Sequence, residues 1–295
     1  TAQFGDRESL ESEMMRYSPS EVIVPEGNEH IENWMMALGV NTTPQKADAW
    51  MYPVAKKTLE KRFGSVEELK TYPMAVAAAG SILSYATETQ FSELPHLRPP
   101  SLMIKAKTMT LDAVTLRNLE IVRTISDSSK DTLFAVVNKT STAGGSRRLK
   151  DWFLRPLHDL KKVNERHDAV QELFDNTLSR REIRDILKGF QDVERLLSRL
   201  GHGSISPRDL DSLRFSLNTV KELKQFLTEE PLKSKLMKKL VKSIDIHKQV
   251  SKKLTEAIVE EPPLVLRDGG IFKKGYSKEL DDLRSNASSG RDWVI

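Results

Sequence analysis

EIRDILKGFQDVERLLSRLG (Glu182–Gly201), followed at once by HGSISPRDL (His202–Leu210), decides the fold class. Ile183, Ile186, Leu187, Phe190, Val193, Leu196, Leu197 and Leu200 recur at three- and four-residue spacing, which puts them on one face of one long helix ending at Gly201. The next helix has a clear start. Ser206 is placed to cap it, Pro207 fits its first position, and Asp209 faces the positive end of its dipole. Its apolar stripe is Leu210, Leu213, Leu217, Val220, Leu223 and Leu227. A third stripe, Leu236, Leu240, Ile244, His247, Val250, Leu254 and Ile258, predicts another long helix that Pro262-Pro263 ends. Long helices with short turns pack as antiparallel neighbours in a bundle.

Downstream, Arg267-Asp268-Gly269-Gly270 and Gly275-Tyr276 read as turns, and Ser277 to Arg284 begins a polar helix. Upstream, the character changes. Glu8 to Arg16 predicts a short helix, and Val22-Ile23-Val24 between Pro19 and Pro25 predicts a short buried strand of an α/β domain. From Thr43, as N-cap with Pro44 at N1, the pattern predicts a helix to Gly64, bent or divided at Pro53. A small-residue helix follows over Pro73 to Thr89, where Ala75-Val76-Ala77-Ala78-Ala79 allows a neighbour to approach closely. The proline-rich stretch Leu94 to Pro100 marks the first domain boundary. The start without Met and the uncapped apolar end Trp293-Val294-Ile295 lead us to expect part of a longer polypeptide.

Composition narrows the chemistry. The 295 residues include 46 Lys+Arg, 42 Asp+Glu and no Cys, which excludes disulfides, thiol nucleophiles and cysteine metal sites. Phosphate-loop, nucleophile-elbow and His-Glu-x-x-His motifs are absent from the sequence, and the six histidines are isolated from one another. We therefore expect no catalytic residue, no cofactor site and no metal site in this chain. No apolar run reaches the roughly 18 residues of a membrane span, and the N-terminus has no signal-peptide pattern. Two basic runs stand out: Arg147, Arg148, Lys150, Arg155, Lys161, Lys162 and Arg166, then Lys233, Lys235, Lys238, Lys239, Lys242, Lys248, Lys252 and Lys253. Such lysines could neutralise phosphates. Without interleaved aromatics or glycines, they read rather as a solvated helix face whose stems cover apolar surface.

From Met109 onward the residues resemble the DNA mismatch repair MutS family. The matching positions are Leu111-Asp112, Asn118-Leu119-Glu120, Gly145-Ser146-Arg147, Trp152 with Pro156, Asp192 with Glu194-Arg195, Arg199 and Pro207-Arg208-Asp209-Leu210. The most specific run is Pro262-Pro263, Arg267-Asp268-Gly269-Gly270, Gly275-Tyr276 and Glu279-Leu280-Asp281. Ala78-Ala79-Gly80, Thr89-Gln90 and Leu94-Pro95-His96 look like the end of the family's connector domain. The chain departs from the family at Ala143-Gly144, where Pro-Met is common, which leaves the start of that helix open.

The resemblance implies a mainly α fold: a helical core/lever domain of long antiparallel helices, preceded by part of an α/β, RNase H-like connector. Residues 1–95 would be the C-terminal part of the connector, 104–265 the core/lever, and 266–295 the core segment leading towards a clamp. It implies a connector and core portion of a mismatch repair protein, binding mismatched double-stranded DNA, in which this segment couples an ATPase to the DNA clamp mechanically. ATP and Mg would belong to the intact protein, a DNA-dependent ATPase. The aromatic-x-Glu mismatch motif would lie before the chain and the phosphate loop after it; Phe91-Ser92-Glu93 mimics the former in the wrong segment. Implied partners are a second subunit, as homodimer or MutS-type heterodimer, and a MutL-type protein, with no membrane. The location would be cytoplasmic and nucleoid-associated in a prokaryote, or nuclear in a eukaryote. Candidate lever joints are Gly201, Gly203, Gly269 and Gly270, and weak DNA-backbone contacts fall to Lys273 and Lys274. Alternatives are a helical scaffold or docking module without DNA contact, or a MutS paralogue serving recombination.

Overall fold

The computed structural model describes residues 2–17, 19–90, 97–102, 108–109, 111–126 and 128–294, with side chains except at 15, 90, 113 and 288–294. Leu94-Pro95-His96 of the Leu94–Pro100 boundary, the Phe91-Ser92-Glu93 mimic and Ile295 lie outside the described residues. The chain is mainly helical and forms two compact units, Thr1–Lys139 with Arg148–Leu160, and Thr140–Arg147 with Lys161–Ile295.

The first unit opens with α1 (Arg7–Tyr17) and β1 (Val22–Pro25), then crosses through α2 (Glu29–Ala37) to β2 (Thr42–Gln45). The two strands are parallel, with Val22 opposite Thr42 and Val24 opposite Pro44. The expected helix start at Thr43-Pro44 is therefore a strand. The extended conformation that a residue before proline prefers, and the N–H that proline lacks, both suit a short strand of a two-stranded sheet. Helix α3 (Tyr52–Phe63) begins only afterwards, so Pro53 starts the helix instead of bending it, and Gly64 stops it at φ +79°. Helix α4 (Pro73–Gln90) packs on α3 around Ala55, Leu59, Val66, Leu69, Val76 and Leu83.

The same unit contains α5 (Ala113–Asn118), capped by Asp112, and α6 (Leu133–Val137), capped by Thr132. Helix α7 (Ala143–Leu154) belongs to it from Arg148 on, and its Phe153 ring meets Phe134 edge to face at 6.4 Å. Thr142 caps α7 by accepting from the Gly145 N–H at 3.0 Å, so the helix starts at Ala143 despite the two glycines that follow.

The second unit is built on α11 (Pro207–Glu229), whose Ser206–Asp209 capping box matches the sequence reading. Around it lie α8 (Leu160–Asp175), α9 (Thr177–Lys188), α10 (Val193–Gly201), α12 (Lys235–Ser243) and α13 (Lys248–Ala257), and α14 (Lys278–Val294) follows in the chain. Ala169, Leu227, Met237 and Val241 form one core cluster; Leu196, Leu213 and Leu217 form another. The stripe expected as one helix from Ile183 to Leu200 is two, broken at Gly189–Asp192. Two side-chain contacts and one close backbone approach compete with the helix there. Gln191 N–H donates to Ser216 Oγ at 3.1 Å, Asp192 caps α10, and Gly189 passes so near α11 that a Cβ would sit 2.9 Å from the Phe215 ring.

The stripe from Leu236 to Ile258 is likewise two helices. Asp245 accepts from the His247 N–H at 2.9 Å, His247 takes φ +43°, and Lys224 Nζ donates to Ile244 O at 2.6 Å. Among the described residues no helix is long and apolar enough to cross a membrane.

Candidate functional site

Joints in a helical assembly are read from what ties helix ends. At Gly201–Gly203, Gly201 closes α10 and Gly203 takes φ +67°. Gly203 N–H donates to Leu200 O at 3.1 Å and Ser204 N–H to Arg199 O at 3.0 Å, the paired bonds of a Schellman motif. Arg199 then reaches Asp209, in the first turn of α11, at 2.8 Å. The turn is short and tied on both sides.

Gly269 and Gly270 take φ +68° and +69° in succession, a reversal that few other residues tolerate. It returns the chain so that Ile258 and Phe272 form an antiparallel bridge, with Val259 N–H on Ile271 O at 3.0 Å and Lys273 N–H on Ala257 O at 2.8 Å. Lys273 Nζ donates to Thr255 O at 2.9 Å, where the last carbonyls of α13 favour a cation. Lys274 is exposed. Phe272 and Tyr276 stack with parallel rings 5.7 Å apart, and Asp281 accepts from the Gly275 N–H at 2.6 Å. Two arginines of α11 hold this return from the other side: Arg208 Nε donates to Pro262 O and Arg214 Nη1 to Ile258 O, each at 3.3 Å.

A second tie joins the starts of α7 and α10. The Arg147 guanidinium grips Asp192 with two hydrogen bonds, 2.9 and 2.7 Å, and also meets Glu194 at 2.6 Å. Asp192 is at once this partner and the cap of α10. The Arg147 hydrogen bonds hold its carboxyl below the usual carboxylate range, and the Asp192 and Glu194 carboxylates raise Arg147 further.

A third cluster is buried in the first unit. Glu13 of α1 is 7% exposed and Arg16 is 9% exposed. Glu13 accepts from Arg16 through one oxygen and from Arg155 through the other, the latter at 3.2 Å. Arg16 also donates to Leu111 O at 2.9 Å. Arg155 is paired with Asp151 and lies 4.8 Å from the Tyr17 ring centroid. One carboxylate thus bridges α1 to the end of α7, 142 positions later in the chain. The Nε atoms of Arg16 and Arg155 are buried without a hydrogen-bond partner among the described residues, so the network is incompletely satisfied.

Two of these arginines lie in a run that the sequence reading weighed as solvated or phosphate-facing. Arg147 and Arg155 are instead the anchors of the second and third ties. The Asp151–Arg155 pair is visible at i, i+4 spacing; Glu13 carries no local signal at all.

The family models of MutS domain II and MutS domain III match residues 1–98 and 114–290. The chain is 37% identical over 292 residues to the DNA mismatch repair protein MutS of Pelotomaculum thermopropionicum, an alignment covering 97% of this chain and 34% of that one. It is 36% identical over 309 residues to the protein of the same name in Methanosarcina barkeri, covering 100% and 34%. To that of Halothermothrix orenii it is 34% identical over 293 residues, covering 96% and 32%. The chain spans about a third of the length of these relatives. With both domain models matched in order over most of its residues, the chain belongs to the MutS family.

Proposed function

We propose that this chain is the connector and core portion of a DNA mismatch repair protein, and that its role is mechanical. It passes changes between an ATP-hydrolysing part and a part that grips mismatched duplex DNA, both elsewhere in the polypeptide. ATP and Mg act at the former, a second MutS-type subunit and a MutL-type protein are partners of the whole, and the protein works where the chromosome lies. The observation that carries this reading is the Glu13 cluster. Glu13 lies in the segment matched by domain II and Arg155 in the segment matched by domain III, and they are joined by buried charge. Charge-assisted bonds hold a defined geometry between the two segments. Stiff helices between such ties fit an element that transmits one of two arrangements.

The test is a chimaera in which this chain replaces the matching segment of the Pelotomaculum relative. It is expected to restore a low mutation rate to a cell lacking MutS. A folded, expressed chimaera that leaves the mutation rate unchanged would refute the reading. The isolated chain is expected to release no phosphate from ATP and to bind a G·T mismatch no better than homoduplex. Hydrolysis by the pure chain, or a clear mismatch preference at about 150 mM salt, the physiological range, would count equally against it.

A further inference from the structure

Positive charge is not spread over this molecule. Residues 232–253 hold eight Lys against one Asp, a formal +7, while the whole chain is +4 with His neutral in both counts; the other residues together are −3. The segment forms α12, α13 and their flanks, and all eight lysines are exposed.

On α12 the lysines stand at 235, 238, 239 and 242, a spacing of i, i+3, i+4, i+7. At 100° per residue they share an arc of about 100°, with successive members about 5–6 Å apart at Cβ. Met237 and Val241 turn the other way, into the core. Among the described residues none of these four lysines forms an ion pair, although the Glu172 carboxylate feels the charge of Lys238. Glu172 is engaged, because its two oxygens accept the N–H groups of Lys233 and Ser234 just before α12. On α13 Lys248 and Lys252 share a face, and Lys252 reaches Glu256 at 3.6 Å.

We propose that this lysine ridge is a binding site for the phosphate backbone of duplex DNA. The four α12 lysines span about 10 Å at 1.5 Å per residue, and a duplex offers one negative charge per roughly 1.7 Å of axis. The residue types define the mode of contact. Residues 232–253 contain no arginine, so no bidentate fork reads guanine, and no Phe, Tyr or Trp to stack a base. Lysines alone give point-charge contacts that position a backbone and ignore sequence. An acidic peptide would meet the same charges but finds no aromatic or arginine anchor among them. Of the two lysines expected to make weak DNA-backbone contacts, Lys273 has its Nζ committed to Thr255 O, and Lys274 is a single exposed charge.

The experiment is fluorescence anisotropy of a labelled 30-base-pair homoduplex with the 295-residue chain, titrated at a series of salt concentrations. Its competitors are a single strand of the same length and a polyglutamate of equal charge. Four phosphate contacts give a log–log salt slope of about −3.6 and roughly 100-fold weaker binding at 200 mM than at 50 mM. Replacing all four α12 lysines by Gln should flatten the slope by about 3.6 and weaken binding by about tenfold or more at 50 mM. Replacing them by Arg should preserve binding. These exposed changes leave the core untouched, and an unchanged melting curve verifies folding. An unaltered slope in the Gln variant overturns the proposal, as does tighter binding of polyglutamate or of the single strand than of duplex. These outcomes are independent of the chimaera test above, which reads repair and not backbone contact.

Discussion

Gly80 offers the sharpest test of how the first unit packs. It lies inside α4, where an alanine would ordinarily favour the helix by about 1 kcal/mol. Here a Cβ would stand 2.5 Å from both Ala55 Cα and Ala55 Cβ and 2.7 Å from Ala55 O. Carbon atoms in contact sit about 3.5–4.0 Å apart, so the overlap is on the order of 1 Å. It falls on the backbone of α3, which has no rotamer to turn. The helices must separate, and a gap of 0.5–1 Å forfeits about a quarter to a half of each dispersion contact across it. Those contacts include Leu59 and Val76, both nearly fully buried.

Overpacking of this kind costs about 1–3 kcal/mol, and a backbone obstacle places Gly80→Ala at the upper end. After the helix-propensity gain, about 2 kcal/mol of destabilisation remains. In a unit of about 150 residues that lowers Tm by about 4–8 °C. Thermal unfolding followed by tryptophan fluorescence reads the effect, because Trp34, Trp50 and Trp152 all lie in the first unit. A Gly80→Ala protein that melts at or above the parent temperature would refute the close approach of α3 and α4.

Adjacent glycines at the start of α7 should respond in opposite directions. Gly144→Ala points into open space and should stabilise by about 0.5–1 kcal/mol in urea unfolding, whereas Gly145→Ala places a Cβ 2.9 Å from the capping Thr142 Oγ1 and should cost about 1 kcal/mol; equal effects would count against the cap. Gly203→Ala, at φ +67° in the α10 turn, should destabilise by about 1–2 kcal/mol, and a neutral result in the same assay would deny the left-handed turn. The Asp192 carboxyl is depressed when folded, so its contribution is complete above the unfolded value of about 3.9 and disappears as pH falls through the lower folded value. Arg147→Gln should therefore raise the acid midpoint at which α10 loses hydrogen-exchange protection; an unmoved midpoint would exclude the tie. Glu13→Ala takes the carboxylate from the buried Arg16 and leaves Arg155 with Asp151 alone, and should cost about 3 kcal/mol, partly recovered by adding Arg155→Met, and strict additivity in that double-mutant cycle would show that the two residues are uncoupled.

Elements were legible wherever the signal was local. The Ser206-Pro207-Asp209 start of α11, the strand at Val22–Val24 and the stop at Gly64 each rest on residues adjacent in sequence. What failed was continuity. Phe190 and Val193 keep the three-residue spacing across the α9–α10 break, so a stripe drawn through Ile183 to Leu200 looks uninterrupted while the backbone turns aside to meet Ser216 and Phe215. At Thr43-Pro44 two helix-start residues became strand because β1 supplies a partner 20 residues earlier. The ties were less legible still. Gly203, Gly269 and Gly270 are candidate joints on the family resemblance, and their positive φ follows from glycine chemistry, but Arg147 with Asp192 is a pairing over 45 residues and Arg155 with Glu13 one over 142. No periodicity encodes such distances.

The position of the charges matters more than their number. In the second unit, apolar side chains occupy the middles of helices, while ends are tied by side chains from other elements: Glu172 before α12, Lys224 at the carbonyl that ends it, Arg208 and Arg214 at the carbonyls after α13, and Arg147 at the cap of α10. Apart from Arg208, which meets the loop carbonyl of Pro262, these groups meet backbone or cap atoms at or beside helix ends, where a helix leaves them unsatisfied. Apolar packing in the middles resists continuous deformation, so displacement is resolved at the ends, where one hydrogen-bond partner can be exchanged for another. The turn glycines then have a different task from the tying residues. With φ near +67° and +68° and the Schellman bonds at Gly203, they fix where a rod stops, and the arginines fix what that end holds. Exchanging Arg208 or Arg214 for Gln should therefore loosen the Val259–Phe272 return while leaving α11 intact. A glycine substitution should destabilise both together, and hydrogen exchange resolved along α11 and the 257–273 segment distinguishes the two cases. If the arginine variants melt α11 as well, the ends are part of the rods and not joints between them.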